Sequence, residues 1–391
     1  MSTPKPLNLQ KKQKMGQLVE IGKLFGKLGL VAFGGPAAHI GMMEEEVVNK
    51  RNWMDRQHFL DMVGATNLIP GPNSTEMAMH CGFHRGGVAG LFVAGAAFIL
   101  PATILTVILA VFYTEYGSVP AIEPFFYGIQ AAVLCIILNA VFKLGNKAIK
   151  DNSQLALAFF VVGFSIFGLS EVIAILGAGL IGLLFAGFRQ QEASKGGRKF
   201  LPLLIPATAS AGAGAITSLG IFWTFLKIGA ILFGSGYVLI AYLDAELVER
   251  LGWLTKTELL DAVAIGQFTP GPVLSTASFI GYFLHGYKGA LMATAGIFLP
   301  SFLFVWLLNP MIPKLRASKL ASAFLDAVNV GAVGVMFAVV LQLGTDIFTD
   351  WKTITVAVLT ALIYFGFKQK NAVLIVVIGA VAGYGLHLLP F

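Results

Sequence analysis

A block of forty-eight residues occurs twice in this chain, two hundred positions apart. Positions 25–72 align with positions 225–272 without a gap, and roughly a third of the aligned residues are identical. The block ends on Pro70-Gly71-Pro72 in the first copy and on Pro270-Gly271-Pro272 in the second. An internal repeat of this kind predicts two related halves that share one architecture.

The amino-acid composition indicates whether these halves fold in water or in a lipid bilayer. Hydrophobic residues make up 57% of the 391 residues and charged residues only 12%, which is too apolar for a soluble domain. Apolar runs close to the length that crosses a bilayer lie at about 87–112, 125–142, 154–169, 171–188, 289–308, 321–343, 353–367 and 371–389. Lipid satisfies no backbone polar group, so these spans must be helices. The sequence predicts an all-α, polytopic integral membrane protein.

Other classes of protein are disfavoured by the remaining composition. The net charge of +7 comes from basic residues scattered over many short loops, so no nucleic-acid partner is predicted. Cys81 and Cys135 are too few for a disulfide framework or a metal cluster. The segment from Gly22 to Lys27 has the wrong spacing for a phosphate-binding loop. No cofactor is therefore predicted, and the first fifteen residues lack the apolar core of a signal peptide.

The placement of charge in corresponding loops predicts that the two halves are inverted. After the third segment of the first half the loop carries Glu115 and Glu123, whereas its counterpart carries Lys314, Arg316 and Lys319. The next pair of loops reverses the contrast, with Lys143, Lys147 and Lys150 against Asp346, Asp350 and a single Lys352. Because Lys and Arg mark the cytoplasmic side, these alternations predict oppositely oriented copies.

An inverted repeat requires an odd number of crossings between equivalent points. The basic N-terminus and the basic linker both look cytoplasmic, so residues 200–219 could provide an additional crossing. We expect six elements, one linking helix and six inverted elements, with the first two elements of each half broken. The predicted organisation is a basic segment at 1–16, a first repeat at 17–190, a linker at 191–219 and a second repeat at 220–391.

Glycine and proline interrupt the apolar stretches at matching places. The interruptions are Phe33-Gly34-Gly35-Pro36 and Pro70-Gly71-Pro72, and then Phe233-Gly234-Ser235-Gly236 and Pro270-Gly271-Pro272. Proline removes an amide hydrogen and glycine permits unusual backbone angles, so two short helices should meet at each break. The amides of Asn73, Ser74 and Thr75 would then point from a helix N-terminus toward an anion. Ser275 and Thr276 supply hydroxyl groups in the second half. A repaired proline kink is the alternative interpretation.

Broken helices in matching positions of two apolar halves are typical of secondary transporters. Lys27 and Lys227 match across the repeat and could neutralise a doubly negative substrate near the pseudo-twofold axis. Two lysines that reach the membrane interface would explain the same pattern.

Glu76, His80 and His84 follow the first break at four-residue spacing and would share one helical face, with Arg85 beside them. This face could bind a metal, relay protons for coupling, or reach water at a cytoplasmic helix end. The second half carries no charged counterpart of Glu76 or Arg85, so the face must act asymmetrically.

Several segments resemble the chromate ion transporter family. In the first half they are Phe33-Gly34-Gly35-Pro36 with His39, Trp53, Phe59-Leu60-Asp61, and the run from Pro70 to Met77. In the second half they are Phe233-Gly234-Ser235-Gly236-Tyr237, Trp253, and the run from Gln267 to Pro272. The second set resembles the C-terminal repeat of the family's long members, and the resemblance spans essentially the whole chain.

This resemblance implies efflux of chromate, with sulfate as a competing or alternative substrate, across a bacterial or archaeal inner membrane. It also implies a site at the Phe-Gly-Gly and Pro-Gly-Pro segments with His39, Glu76 and Arg85. A sulfate or oxyanion permease and an integral membrane metalloenzyme using Glu76, His80 and His84 stay open as alternatives. The expected partners are the oxyanion and the lipid bilayer. A homodimer is expected only because twofold assemblies are common.

Overall fold

The computed structural model is helical throughout the residues that it describes. These are residues 7–32, 36–66, 69–116, 123–167, 171–193, 216–233, 236–309, 319–348, 350–366 and 372–388. No β-strand occurs within these ranges. Among the described helices, four are long and apolar enough to cross a membrane, at Asn73–Tyr116, Pro124–Ala148, Val273–Leu307 and Ser322–Thr345. The prediction of an all-α polytopic membrane protein is confirmed.

The helices follow the same order in both halves. The first half contains α1 (Leu7–Val31), α2 (Pro36–Glu44) with a π-helical turn (Glu45–Lys50), α3 (Arg56–Thr66), α4 (Asn73–Tyr116), α5 (Glu123–Ala148), α6 (Asn152–Ile166) and α7 (Glu171–Ala193). The second half contains α8 (Ser218–Ile231), a 3-10 turn (Gly236–Val238), α9 (Leu239–Leu243), a π-helical turn (Asp244–Arg250), α10 (Lys256–Phe268), a 3-10 turn (Val273–Ser275), α11 (Thr276–Leu308), α12 (Lys319–Ile347), α13 (Trp351–Ala361) with a π-helical turn (Leu362–Gly366), and α14 (Ala372–His387).

All eight predicted apolar runs coincide with helices, although α4 and α11 begin before the runs predicted for them. The additional crossing expected within residues 200–219 falls mostly outside the described residues and stays a prediction. The boundaries assigned at residues 16, 190 and 219 also stay predictions.

Helix α4 is two antiparallel arms joined at Gly87. Gly87 has φ of +63° and ψ of −152°, which no helix contains. Gly82 on the first arm packs against the carbonyl of Gly90 and the methyl of Ala94 on the second arm. Eight residues of continuous helix would place Gly82 and Gly90 about 12 Å apart, so their contact requires the chain to fold back. The small residues let the two backbones approach closely.

Helix α11 repeats this fold-back at the equivalent position. Gly286 has φ of +58°, and Gly281 packs against Gly289 and Ala293. A hydroxyl pair, Ser278 with Thr294 at 2.7 Å, joins the two arms as well. The first arms span residues 73–86 and 276–284, and the second arms span residues 88–116 and 287–308.

Helices α1 and α2 form a second hairpin in the first half. Helix α1 runs beside the second arm of α4, because Gly22 faces Val93 and Gly29 faces Phe98. The chain then returns, since the indole Nε1 of Trp53 donates to Glu20 in the middle of α1 at 3.2 Å. The open end of the α1–α2 hairpin and the closed end of the α4 hairpin, at Gly87, therefore lie on the same side of the molecule. We call this side the first face, and the side where Gly286 lies the second face.

Side-chain contacts between α4 and α11 establish the relative orientation of the halves. His80 Nδ1 lies 3.1 Å from Asn309 Oδ1, and Glu76 lies beside Ser301. The first arm of α4 therefore runs in the same direction as the second arm of α11.

The other two arms have the same relation. The hydroxyls of Thr106 and Thr269 are 3.4 Å apart, and the ring of Tyr113 packs on Phe279 with centroids 5.2 Å apart. The second arm of α4 is thus parallel to the first arm of α11. Because the arms within each helix are antiparallel, the two first arms point in opposite directions. The predicted inversion of the repeats is confirmed.

Candidate functional site

Both Pro-Gly-Pro segments interrupt the helices. Helix α3 ends at Thr66 and α4 begins at Asn73, while α10 ends at Phe268 and the next helical turn begins at Val273. Gly71 has φ of +143° and Gly271 has φ of +90°, values that L-residues with a side chain rarely adopt. The predicted short helices that meet at a break are present, and the alternative of a repaired proline kink is wrong.

Each break is joined to the opposite half by a backbone hydrogen bond. The amide of Gly71 donates to the carbonyl of Leu232 at 2.7 Å, just beyond the end of α8. The amide of Gly271 donates to the carbonyl of Ala32 at 2.8 Å, just beyond the end of α1. The two bonds are equivalent under the repeat. They place the end of the first helix of each half against the Pro-Gly-Pro segment of the other.

His39 lies at one of these junctions. Its Nε2 is 3.1 Å from the carbonyl of Ala32, which also accepts the amide of Gly271. The side chain is 2% exposed, and its ring packs edge-on against Phe98. Its Nδ1 has no hydrogen-bond partner among the described residues. The structure therefore brings His39 together with the second break.

Glu76 lies at the first break in a fully buried position. The Cα of Gly71 packs so closely on the Glu76 carboxylate that a Cβ on Gly71 would overlap it. The hydroxyl of Ser301 faces the same carboxylate, but neither group makes a hydrogen bond of good geometry with a described residue. A carboxylate buried in this way is costly when ionised, and no cation among the described residues pairs with it.

Some of the backbone amides at the N-terminus of α4, which follows the first break, donate hydrogen bonds within the chain. The amides of Thr75 and Glu76 both donate to the carbonyl of Pro72, at 2.8 and 3.0 Å. The expectation that Thr75 has a free amide is therefore wrong, because the first turn closes on the proline. Ser74 precedes these two residues, so its amide has no acceptor within the helix. Ser74 and Asn73 stay candidate anion donors.

Hydroxyl groups near the breaks are buried and mostly bonded locally. Thr276 donates to the carbonyl of Val273 at 2.8 Å, whereas Ser275 lies 3.5 Å from the Thr269 hydroxyl. In the first half the hydroxyl of Thr75 has no partner among the described residues.

His80, His84 and Arg85 extend from the buried first arm of α4 to the first face. His80 is 1% exposed and contacts Asn309, whereas His84 is exposed and contacts the carbonyl of Trp53 at 3.0 Å. Arg85 pairs with Glu20 at 3.0 Å and lies over the ring of Trp53. The structure does not bring Arg85 to either break.

His80 and His84 contact different partners, and Glu76 makes no hydrogen bond of good geometry with a described residue, so the three side chains do not share a common centre. In the described part of the chain, no group of three or more His, Cys, Asp or Glu side chains could hold a metal ion.

Lys27 and Lys227 occupy matched ion pairs. Lys27 Nζ lies 3.7 Å from Glu46 and Lys227 Nζ lies 3.0 Å from Glu246. The lysine side chains are 64% and 41% exposed, whereas the two carboxylate side chains are 12% and 9% exposed.

The candidates Gly34, Gly35, Gly234 and Ser235 lie outside the described residues. The candidate prolines at the breaks are Pro70, Pro72, Pro270 and Pro272. The carbonyl of Pro72 closes the first turn of α4, and the carbonyl of Pro272 accepts the amide of Ser275 at 2.9 Å.

Sequence reasoning missed several polar residues that the fold places near the candidates. Ser301 and Asn309 belong to the second half and lack a counterpart with a matching function in the first half. Asp261 accepts hydrogen bonds from Tyr113 at 2.7 Å and Gln130 at 2.8 Å. These contacts join distant segments, so no spacing signal predicts them. Glu46 and Glu246 do match across the repeat, and that match could have revealed them.

Comparison with known proteins agrees with this geometry of two equivalent halves. The family model described as "Chromate transporter" matches residues 19–183 and again residues 219–384. The chain belongs to the chromate transporter family. A "Probable chromate transport protein" of Synechococcus elongatus is 32% identical over 94% of this chain and 95% of the relative. A "Chromate transport protein" of Cupriavidus metallidurans is 30% identical over 92% of this chain and 90% of the relative.

A third relative, the "Chromate transport protein" of Pseudomonas aeruginosa, is 30% identical over 92% of this chain and 89% of its own length. No solved structure matches the chain. Membership of the chromate transporter family fits a multi-pass membrane protein with two repeats, and the paired breaks belong to both repeats.

Proposed function

We propose that this chain exports chromate across the cytoplasmic membrane as a secondary transporter. The observation that carries the proposal is the pair of hydrogen bonds from Gly71 to Leu232 and from Gly271 to Ala32. Through these bonds the interrupted helices of two inverted repeats depend on each other. That is the arrangement on which alternating access operates, because a rotation of one half alters the break of the other.

A tetrahedral dianion suits the chemistry around the breaks. Backbone amides at the N-terminus of α4, Ser74 among them, can donate hydrogen bonds to oxyanion oxygens. The Thr75 hydroxyl is buried and has no hydrogen-bond partner among the described residues. Irregular backbone at membrane depth is tolerated where it is buried in protein or lines a wet cavity. The three named relatives are chromate transport proteins by description, which favours chromate among tetrahedral dianions.

The direction of transport follows from the membrane potential. An inside-negative potential favours exit of negative charge by about 2.3 kcal/mol per charge at 100 mV, hence about 4.6 kcal/mol for a dianion. Export can therefore run on voltage alone, whereas import of the same anion would require coupled cations. The proposed location is the inner, cytoplasmic membrane, where such a potential exists.

Proton coupling is the second part of the proposal. Glu76 is fully buried beside the first break and faces the Ser301 hydroxyl without a cation among its described neighbours. A carboxylate there can bind and release a proton as its surroundings change during the transport cycle. His80 and His84 lie on the same arm between Glu76 and the first face, so they are candidates for proton transfer to water.

The test is uptake of radiolabelled chromate into inverted membrane vesicles that contain the protein, with the potential clamped at several values. We expect uptake to increase when the vesicle lumen is positive and to be absent from vesicles without the protein. Labelled sulfate measured in parallel separates the two oxyanions, since a larger sulfate flux would favour the permease alternative. Equal fluxes with and without the protein would contradict the proposed function.

A further inference from the structure

Two matched ion-pair clusters lie on opposite sides of the paired breaks. In the first half Glu46 contacts Lys27, Lys50 and Arg51. In the second half Glu246 contacts Lys227 and Arg250. Each carboxylate is thus shared by at least two cations.

Both glutamates lie in matched segments of π-helix. Glu46 is in the turn Glu45–Lys50 and Glu246 is in the turn Asp244–Arg250. A π-helical turn is rarely stable by itself and often occurs at functional sites. Its presence at the same place in both repeats means that the distortion belongs to the duplicated unit.

The clusters are built with the cation outward and the carboxylate inward. The Lys27 and Lys227 side chains are 64% and 41% exposed, whereas Glu46 and Glu246 are almost buried. An exposed ammonium group in a membrane protein must face water or lipid headgroups. An incoming anion can therefore reach the lysine without entering the packed interior.

The direction of α1 gives the depth of the first cluster. Glu20 lies at the first face with Arg85, and Ala32 lies at the second break. Lys27 is seven residues beyond Glu20, or about 10 Å along the helix axis toward the break. The equivalent Lys227 occupies this position on α8, which enters from the second face because the repeats are inverted.

We infer that Lys27 with Glu46 and Lys227 with Glu246 form two vestibule sites, one open to each face, where a divalent oxyanion is captured by replacing the carboxylate on the lysine. This inference rests on the proposed function and extends it to residues that hold the anion before and after it passes the breaks. The carboxylate keeps the lysine paired when no anion is bound, so the ammonium group of an empty vestibule is not left without an ion-pair partner.

Inversion makes the inference testable, because each site should act from one side only. The experiment measures zero-trans uptake of radiolabelled chromate into right-side-out and inverted vesicles at zero potential. The variants are Lys27→Gln, Lys227→Gln, Glu46→Gln and Glu246→Gln. The exposed Lys23 on the same helix as Lys27 gives the matched control, Lys23→Gln.

Removal of the lysine should raise KM about tenfold from the face on which its site opens and leave KM from the other face unchanged. Removal of the glutamate should lower KM about tenfold from that same face, because the carboxylate no longer competes with the anion for the lysine. Turnover should also be slower, because the anion is released from the lysine more slowly. The first-half and second-half variants must affect opposite faces. Changes in KM from the same face, or equal changes from both faces, would overturn the inference in favour of purely structural ion pairs.

A second measurement does not require chromate transport. It tests the inference even if the glutamine variants fail to fold. Lys27→Cys and Lys227→Cys are labelled in vesicles of both orientations with a membrane-impermeant thiol reagent, against the native background of buried Cys81 and Cys135. We expect labelling of each new cysteine from one face only, and from opposite faces for the two. Labelling of both from one face, or of neither, would overturn the vestibules. Absence of chromate flux in wild type would contradict only the proposed function.

Discussion

The two Pro-Gly-Pro breaks share a backbone but differ in the side chains that surround them. At both, a glycine with positive φ donates its amide to the end of the first helix of the other half. At the first break the following helix brings Glu76 into a fully buried position, whereas the second half has Thr276 at the matching place. The two breaks thus keep the duplicated backbone, whereas the side chains around them have diverged.

This difference favours Glu76 in the first half as the residue for the proposed proton coupling. The hydroxyl of Thr276 donates to the carbonyl of Val273 in its own turn, so Thr276 is a poor candidate for proton exchange during a transport cycle. Glu76 has no such local partner among the described residues. Asp261, one of the buried carboxylates of the second half, is held by Tyr113 and Gln130 and fits a structural role.

Replacement of the two break glycines should have the largest effect. A Cβ on Gly71 would overlap the Glu76 carboxylate, and one on Gly271 would lie 2.8 Å from the methyl of Ala102. A side chain in the left-handed region adds roughly 1–2 kcal/mol of strain. We expect Gly71→Ala and Gly271→Ala each to reduce chromate flux by about 100-fold or more, measured in vesicles at matched protein levels.

Gly87→Ala is the control for this pair. Gly87 also has a positive φ, but nothing lies within 4 Å of a Cβ built there. We expect a smaller loss of flux, from backbone strain alone. Equal losses in all three variants would mean that strain, and not the close packing at the breaks, limits transport.

Removal of the Glu76 charge should have the next largest effect. Glu76→Gln keeps the volume of the side chain but cannot exchange a proton, so we expect flux to fall about tenfold and to lose its dependence on pH. Thr276→Val, at the matching place, should retain the pH dependence of wild type. The measurement is initial chromate uptake with the pH varied on one side of the vesicle. A pH profile that survives in Glu76→Gln would remove Glu76 from the coupling mechanism.

Loss of one Asp261 hydrogen bond should affect stability more than transport. Tyr113→Phe removes a donor to a buried carboxylate and should cost about 2 kcal/mol of unfolding free energy. Thermal unfolding in detergent micelles checks the cost, and the pH profile of flux should match wild type. A changed pH profile with unchanged stability would instead make Asp261 a second coupling residue.

Truncation of Arg85 should have the smallest effect. Its partly exposed pair with Glu20 and its contact with Trp53 are each worth about 1 kcal/mol or less. We expect Arg85→Ala to change KM for chromate by less than about threefold. A tenfold increase in KM would restore Arg85 to the anion site, as the family resemblance implies.

Much of the fold was predictable because membrane solvation leaves few choices. Apolar length predicted the helices, since lipid cannot bond to the backbone. The matched prolines and glycines predicted where helices break, and the charges of corresponding loops predicted inversion. The fold-backs at Gly87 and Gly286 were not predicted, because a glycine within an apolar run also fits a continuous helix.

The candidate site was predictable only in part. Glu76 and the break glycines follow from local sequence. The predicted free amide of Thr75 was wrong, because the first turn of α4 closes on the Pro72 carbonyl. The neighbours of Glu76 and His80 come from positions more than two hundred residues away, and no local pattern encodes such a contact.

The sequence by itself determined that this protein is a helical, duplicated and inverted membrane protein with two breaks, because solvation and backbone chemistry act locally. Tertiary structure alone decided which half contacts which break, that Lys27 and Lys227 pair with Glu46 and Glu246, and that Asp261 bonds to Tyr113. Those choices depend on how the arms of α4 and α11 pack, and packing depends on the shape of the whole molecule.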